Sequence, residues 1–571
     1  MHATELPSSA GVQWEWKRPS NWIFVLSIVR DIAALLRTRP ILVTSIIAVI
    51  LVTLYAYRYV WEPYVLFVPR KYAGAIIAIL SVTVGSWFLL GWIARRFFPS
   101  WGILARVVRP IGVAFGIGIV FLAAAFGDAV HTYFAQAWRY QTLHVVEPDR
   151  YPTTDNERIW PLHGIYTYAR QQMNETEAPS VPNLVRSGTR FDWTMAVEPS
   201  TSLLRFSDDV EEIVSIPSTV VTFDLRRGKN ARFETGEKLL FSRNVYTCVR
   251  RRMWFWQAAT YEPADNVVYL RNDGGAWVQV VPMIRWAGLI FPRPEFGGVV
   301  VIPESSKESS GSALGWFQAK IEGFLYGTLP RVFWGCGTWI GPDEIKDHPY
   351  LVGQNIVPFE VTRFMAASTR FRAGLAAPMP WRREGDVRIA DLPDDVNQQP
   401  FTLYFNVWDK GTAVATKLFH YFALEPEAAA NQGLATSMLA PADGIGPAYL
   451  YWHFGRSDSC MGVSAVSGWV RSSKRMYDWS VNRPVEHRPY LRDIPDGRGR
   501  TTTRWTWLTT IVTVDEAKLK AKDPGGFVTG TPEIAITDCR HKETVWVNRR
   551  RPELWPKELR ESLSLYWDKE E

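Results

Sequence analysis

Cysteine is scarce in this sequence. There are four in 571 residues, at Cys248, Cys336, Cys460 and Cys539, and none earlier in the chain. No C-x-x-C occurs, and the closest Cys/His neighbours are Cys539 and His541, so a zinc site is not expected. The nine histidines are scattered without H-x-x-x-H spacing, and neither G-x-x-x-x-G-K-[ST] nor G-x-G-x-x-G is present. These absences exclude a P-loop ATPase and the usual dinucleotide binders, whose phosphate cradles need those glycines. The nearest approach to G-x-S-x-G is Gly462-Val-Ser464-Ala-Val466, without the second glycine. A nucleophile elbow is too crowded for that replacement, so the stretch reads as a small-residue turn. No repeat of domain-building length is visible, and the polar first twenty residues lead us to expect no cleavable signal peptide. No cofactor and no metal is expected.

What is present is unevenly distributed. The mean hydropathy of -0.09 is ordinary, but the long apolar runs all lie in the first quarter. Ile41–Tyr59, Ala73–Ala94 and Ile111–Gly127 each have the composition of a membrane-crossing helix, and no acidic residue interrupts them. That absence argues against a proton relay or pump. Residues 20–38 carry an apolar stripe with Arg30 and Asp31 at the centre, which predicts a helix lying in the membrane interface. Gly74 with Ala78, and Gly112 with Gly116, are the small pairs that let such helices pack closely. Lys17, Arg18, Arg30, Arg37, Arg39, Arg95, Arg96, Arg106 and Arg109 fall on one side of these runs, against Arg58, Arg70, Lys71, Arg139 and Arg150 on the other. The positive-inside rule then predicts a multi-pass protein of a bacterial inner membrane with its large domain in the periplasm.

The expected fold class is a membrane-anchored α+β protein: three N-terminal transmembrane helices followed by a large, predominantly β region with some α/β elements. The predicted units are a tail with the interfacial helix (1–39), an anchor (40–130), a β-rich domain (131–303) and a mixed α/β lobe (313–571), with 303–312 as a polar linker. A helix is expected at His131–Tyr140. Strands are expected at Arg190–Val197, Ser218–Leu225, Arg252–Tyr261, Val267–Arg271, Ala276–Ile284 and Gly297–Ile302. Asn272-Asp273-Gly274-Gly275 predicts a hairpin turn. Beyond the linker, Ala313–Tyr326 reads as a helix, Pro400–Trp408 as a strand and Thr412–Leu424 as an amphipathic helix. Further strands are expected at Ala448–Phe454, Gly468–Arg471 and Arg504–Val514.

Cys248, Cys336, Cys460 and Cys539 are even in number and widely spaced, which suits one or two disulfides of undetermined pairing or four buried thiols. Asp208-Asp209-Val-Glu211-Glu212 and Asp391-Leu-Pro-Asp394-Asp395 could offer oxygens to calcium, although an acidic turn explains them as well. Arg250, Arg251, Arg252, Trp254 and Trp256 combine charge and rings in one segment, a surface for a ligand or partner unless the arginines line the wet face of a strand. Trp254/Trp256 and Trp505/Trp507 are spaced so that both rings of a pair leave one side of a strand, and would stack on sugars or pack in a core.

With 27 tryptophans, a net charge of +7 and no convincing catalytic constellation, the expected function is that of a non-enzymatic, membrane-anchored component of a multi-protein envelope assembly. Its expected partners are the lipid bilayer, other envelope proteins and a second copy of itself, with no nucleic acid. The alternative is an envelope glycan- or lipid-binding protein, or a hydrolase, with a tryptophan-lined groove.

Overall fold

A computed structural model of the chain describes residues 40–62, 131–148, 162–188, 190–201, 204–218, 230–288, 291–305, 329–372, 387–390, 401–410, 412–427, 433–452, 460–495, 501–515, 528–539 and 542–547, with a few isolated positions elsewhere. The chain divides into two compact units, Met1–Arg58 and Tyr59–Glu571.

In the first unit the described structure is essentially one helix, α1 (Pro40–Ala56), apolar on every side and 17 residues long. The run expected to continue to Tyr59 stops at a turn at Tyr57, after which a separate short helix, α2 (Arg58–Glu62), begins. At about 1.5 Å per residue α1 spans roughly 26 Å, short of a hydrocarbon core of about 30 Å. Among the described residues no helix is long and apolar enough to cross a membrane. The expected three-helix anchor and the multi-pass inner-membrane placement drawn from it are therefore corrected. Apolar composition predicts a continuous span, whereas the backbone breaks within it at Tyr57. The other two expected spans, the small pairs Gly74/Ala78 and Gly112/Gly116, and the interfacial helix at 20–38 lie outside the described residues.

Among its described residues the second unit is built from four sheets, and the fold is mostly β with few helices. The chain at 131–142 is helical, as expected, and leads to β1 (Val145–Val146). Helix α3 (Leu162–Gln171) follows. The first sheet comprises β2 (Glu177–Pro179), β3 (Asn183–Ser187), β4 (Arg190–Pro199) and β5 (Glu212–Pro217). Strand β4 is central, with β3 and β2 along one edge and β5 along the other. Its residues alternate: Phe191, Trp193, Met195 and Val197 share a core with Ile165 and Ala169 of α3, while Ala196 joins the next core. The period of two is what a strand buried on both faces requires.

Two short helices come next, α4 (Val245–Arg252) and α5 (Phe255–Ala258). They replace most of the strand expected at Arg252–Tyr261. Aromatic enrichment suggested that strand, but Asn244 caps α4 by accepting a hydrogen bond from the Thr247 amide at 3.1 Å, a local signal that starts a helix. The second sheet contains β6 (Tyr261–Pro263), β7 (Val268–Arg271), β8 (Trp277–Ala287), β9 (Arg293–Pro303) and β10 (Thr338–Ile340). The β7–β8 connection is the expected hairpin: Asn272 and Ala276 close it, and Gly275 takes φ +80°, a conformation that favours glycine. Helix α6 (Leu329–Trp334) precedes β10, and α7 (Phe359–Ser368) follows it.

The third sheet holds β11 (Val387–Ile389), β12 (Phe401–Asp409), β13 (Thr412–Pro426), β14 (Thr436–Pro441) and β15 (Ala448–Trp452), with β1 added in parallel to β15. Here the expected helix at Thr412–Leu424 is corrected to the longest strand of the sheet. β13 pairs with β12, β11 and β14, and from Leu418 onward it is buried on both faces. A two-sided apolar run does not distinguish a buried helix from a central strand by periodicity. The hairpin partner at Phe401–Asp409 decides it, and the α/β character expected of this lobe goes with it. The strand expected at Gly468–Arg471 is instead part of helix α8 (Val463–Ser473).

The last sheet is an antiparallel meander of β16 (Asn482–Pro495), β17 (Thr501–Val514), β18 (Val528–Asp538) and β19 (Thr544–Val547). Pro484, Pro489 and Pro495 make β16 unpromising as a strand, but it lies at the sheet edge, where proline is tolerated. Trp505 and Trp507 of β17 enter a core shared with Phe405 and Tyr421 of the third sheet. Leu508, Ile534 and Ile536 reach a core shared with the first sheet. The helix expected at Ala313–Tyr326 and the strand at Ser218–Leu225 fall mostly or wholly outside the described residues.

Candidate functional site

The arginine–tryptophan segment forms an exposed corner rather than a strand. Helix α4 ends in Arg250, Arg251 and Arg252, cations that suit the negative end of the helix dipole. They separate by depth. Arg251 is 3% exposed, with its guanidinium 4.4 Å from the Tyr59 ring centroid, whereas Arg250 is half-buried and Arg252 exposed. The chain then turns at Met253, which is buried, into the single turn of α5. Trp254, the extended N-cap of this turn, and Trp256 within it flank Phe255 and are 77% and 78% exposed. The backbone changes from extended at Trp254 to helical at Phe255, and the corner presents both rings to solvent.

A second segment ties this corner down. Cys248 of α4 is bonded to Cys336, which follows α6, with Cα atoms 5.4 Å apart. Trp334, at the end of α6, adds a third exposed indole. Between them Gly335 has φ +74°, and a Cβ there would lie 2.2 Å from the Arg252 amide nitrogen. Only glycine lets the two backbones approach this closely. The other cysteines pair as Cys460–Cys539, with Cα atoms 4.6 Å apart. Phe255 and Trp334 were not anticipated from sequence. A lone Trp beside a Gly-Cys-Gly turn carries no signal until the disulfide brings it to α4.

Beneath the corner lies a carboxylate pair, Glu198 buried and Glu237 half-buried. Glu198 of β4 is fully buried and accepts hydrogen bonds from the amides of Glu237 and Lys238 at 2.9 and 2.6 Å. Glu237 accepts from the amides of Val181 and Val267, and from the Tyr246 hydroxyl of α4 at 2.9 Å. Burial and the neighbouring Glu198 push the Glu237 carboxyl up to about 7, and burial raises Glu198 as well. The pair fixes α4 to the first two sheets. It lines none of the clefts described below.

Other polar groups are likewise enclosed. His420 of β13 sits 2.9 Å from the Thr362 hydroxyl and 2.7 Å from Asn355 Oδ1, and all three are buried. Burial pushes His420 down to about 3, so the ring is neutral and acts as a structural link between β13, α7 and the preceding loop. His487 of β16, bonded to Thr509, is lowered to about 3 by burial and by Arg471. Gly462 caps α8, where an added Cβ would meet Glu425 Oε1 at 2.5 Å. Trp505 and Trp507 are 5% and 0% exposed, and Trp507 donates to the Met461 carbonyl. They are core residues and offer no sugar platform. Asp209 is held by Arg232 at 2.8 Å and by Arg243, which satisfies its charge within the protein. Among the described residues no group of three or more His, Cys, Asp or Glu could hold a metal, and Asp391–Asp395 lie outside them.

Two open clefts stand out among the described residues. One, of about 570 Å³, lies between the helix at 131–142, β9, α7 and β11, with Trp286, Arg363, Arg370 and Glu427 in its walls. Arg370 and Glu427 there lie 3.7 Å apart. The other, of about 710 Å³, lies between β3, β5 and the β7–β8 hairpin under the loop at 349–354. No family model, curated protein or solved structure matches this chain.

Proposed function

We propose that the protein is a non-enzymatic binding component of a multi-protein assembly, and that the corner formed by α4, α5 and α6 is the surface that meets a partner protein. The observation that carries this reading is the exposure of Trp254 and Trp256 on a corner tied by the Cys248–Cys336 bond. Exposed indoles cost solubility, and tryptophan and arginine dominate the energetic centres of protein interfaces. Anchoring of the corner by the disulfide, by Gly335 and by the Glu237–Tyr246 hydrogen bond limits the ordering entropy of association. Arg250 and Arg252 beside the rings favour a partner face that is acidic at its rim.

The test is native purification of the full chain and of the double variant Trp254→Ala/Trp256→Ala. The wild type should elute with a partner, or a second copy, at fixed stoichiometry. The double variant should lose it with affinity reduced at least about 30-fold, a loss of about 2 kcal/mol, while retaining the same circular dichroism. A wild type that runs as a lone monomer, or a variant that keeps the complex, would overturn the proposal.

A further inference from the structure

The cleft between the first sheet and the β7–β8 hairpin has the features of a small-molecule site. Its volume of about 710 Å³ lies within the usual range for such sites, about 300–1,000 Å³. Arg186 of β3 and Arg271 of β7 both line it. Neither guanidinium is ion-paired among the described residues, and each is pinned by one hydrogen bond to a backbone carbonyl. Arg186 Nε donates to Gly188 at 3.0 Å and Arg271 Nη1 to Gly275 at 2.8 Å. Arg271 also lies 4.3 Å over the Trp277 ring. A guanidinium has five N–H donors, so pinning one fixes its direction and leaves the rest for an external acceptor.

A further donor is left without a partner in the same wall. Trp277 is 5% exposed, lines the cleft, and its Nε1–H makes no hydrogen bond. A buried donor left unmade is unfavourable, and a ligand oxygen would relieve it. The remaining wall is mixed. Ser187 supplies a hydroxyl, Ser215 a hydroxyl that donates to Asp192 at 3.3 Å, Asn272 an amide, Asp273 a carboxylate, and Tyr350 a half-buried ring. That set is too polar for a lipid chain, and its excess of donors favours an anion.

We infer that this cleft binds a sugar bearing an oxyanion, with Arg186 and Arg271 on the anionic group, the polar rim on ring hydroxyls and Tyr350 against the ring face. The site is separate from the tryptophan corner, and its failure would leave the assembly reading untouched.

The experiment is calorimetric titration of the full chain with glucuronate, glucose 6-phosphate and neutral glucose. Binding of one or both acidic sugars is expected, at least about 10-fold tighter than glucose. A preference for glucuronate would identify a carboxylate sugar as the ligand, and a preference for the phosphate a phosphorylated one. Arg186→Ala and Arg271→Ala should each weaken binding about 10-fold or more. Trp277→Phe, which keeps the ring and removes only the N–H, should weaken it several-fold. Arg363→Ala in the other cleft and Trp254→Ala/Trp256→Ala should leave it unchanged. Equal affinity for glucose, no saturable binding of either acid, or indifference to both arginine substitutions would overturn the inference.

Discussion

Two Trp-x-Trp segments of the same chain end in opposite environments. Trp505 and Trp507 lie on one face of β17, with rings 6.0 Å apart and edge to face, and close a core between two sheets. Trp254 at the N-cap of α5 and Trp256 in its single turn stand in water. The spacing is identical, so residue type and separation do not decide burial. Backbone conformation does: in a strand two residues apart means one face, whereas the change from extended backbone at Trp254 to helix at Phe255 breaks that alternation. The flanks set the conformation. Thr501, Thr502, Thr503, Thr506, Thr509 and Thr510 surround the first pair with β-branched residues, whereas an arginine-rich helix end precedes the second.

The comparison can be broken most directly by truncation. Trp507→Ala should destabilise the fold by about 3–5 kcal/mol through cavity formation, measured by denaturant unfolding. Trp256→Ala should stay within about 0.5 kcal/mol, as for exposed sites. Equal losses would mean that the corner is buried in solution.

A smaller effect is expected where the corner is anchored. Gly335→Ala forces an L-residue into φ +74° against the Arg252 amide and should cost about 1–3 kcal/mol. The loss should be local, so amide exchange should accelerate in α4 and leave β17 unaffected. Acceleration in both would show that the corner and the core unfold as one unit.

The smallest expected effect concerns pH and has opposite signs in the two regions. Glu237 is raised to about 7 from an unfolded value near 4.5, so the folded state holds the proton more tightly. Its contribution is fully present below pH 4.5 and is lost as pH rises through about 7. His420 and His487 are lowered to about 3 from near 6.5. Their contribution is present above pH 6.5 and is lost as pH falls towards 3. Lowering the pH from 7 to 5 should therefore slow amide exchange in α4 relative to β13 and β16, once the intrinsic pH dependence of exchange is removed. Glu237→Gln should abolish the α4 response and leave the strands as they were. A uniform response across the three segments would count against separate polar anchors.

How much was legible from sequence follows the same division. The β7–β8 hairpin was readable because its Asn-Asp-Gly-Gly turn is a local instruction, and β4, β8, β12, β15 and β17 were readable from alternation and β-branching. β13 reads as an amphipathic helix because its exposed start, with Thr412, Thr416 and Lys417, lends the run a polar side, while from Leu418 onward both faces are buried and the alternation of a strand is lost. β16 escaped notice because its prolines are acceptable only at an edge, and edges are defined by neighbours. The apolar stretch at Ile41–Tyr59 reads as one span, but the helix breaks at Tyr57, immediately before Arg58, the one charged residue in the run.

The tryptophan pairs show where the boundary lies. Sequence alone determined that the rings exist, that arginines flank one pair and threonines the other, and that four cysteines were available for bonding. Tertiary structure decided which cysteines meet, and so which helix end Trp334 joins. It also decided that Arg251 is buried while Arg252 is exposed, and that Arg186 and Arg271, distant in the chain, border one cleft. The physical reason is range. Caps, turns and β-branching act over a few residues, whereas burial and cleft formation depend on surfaces brought together from far along the chain.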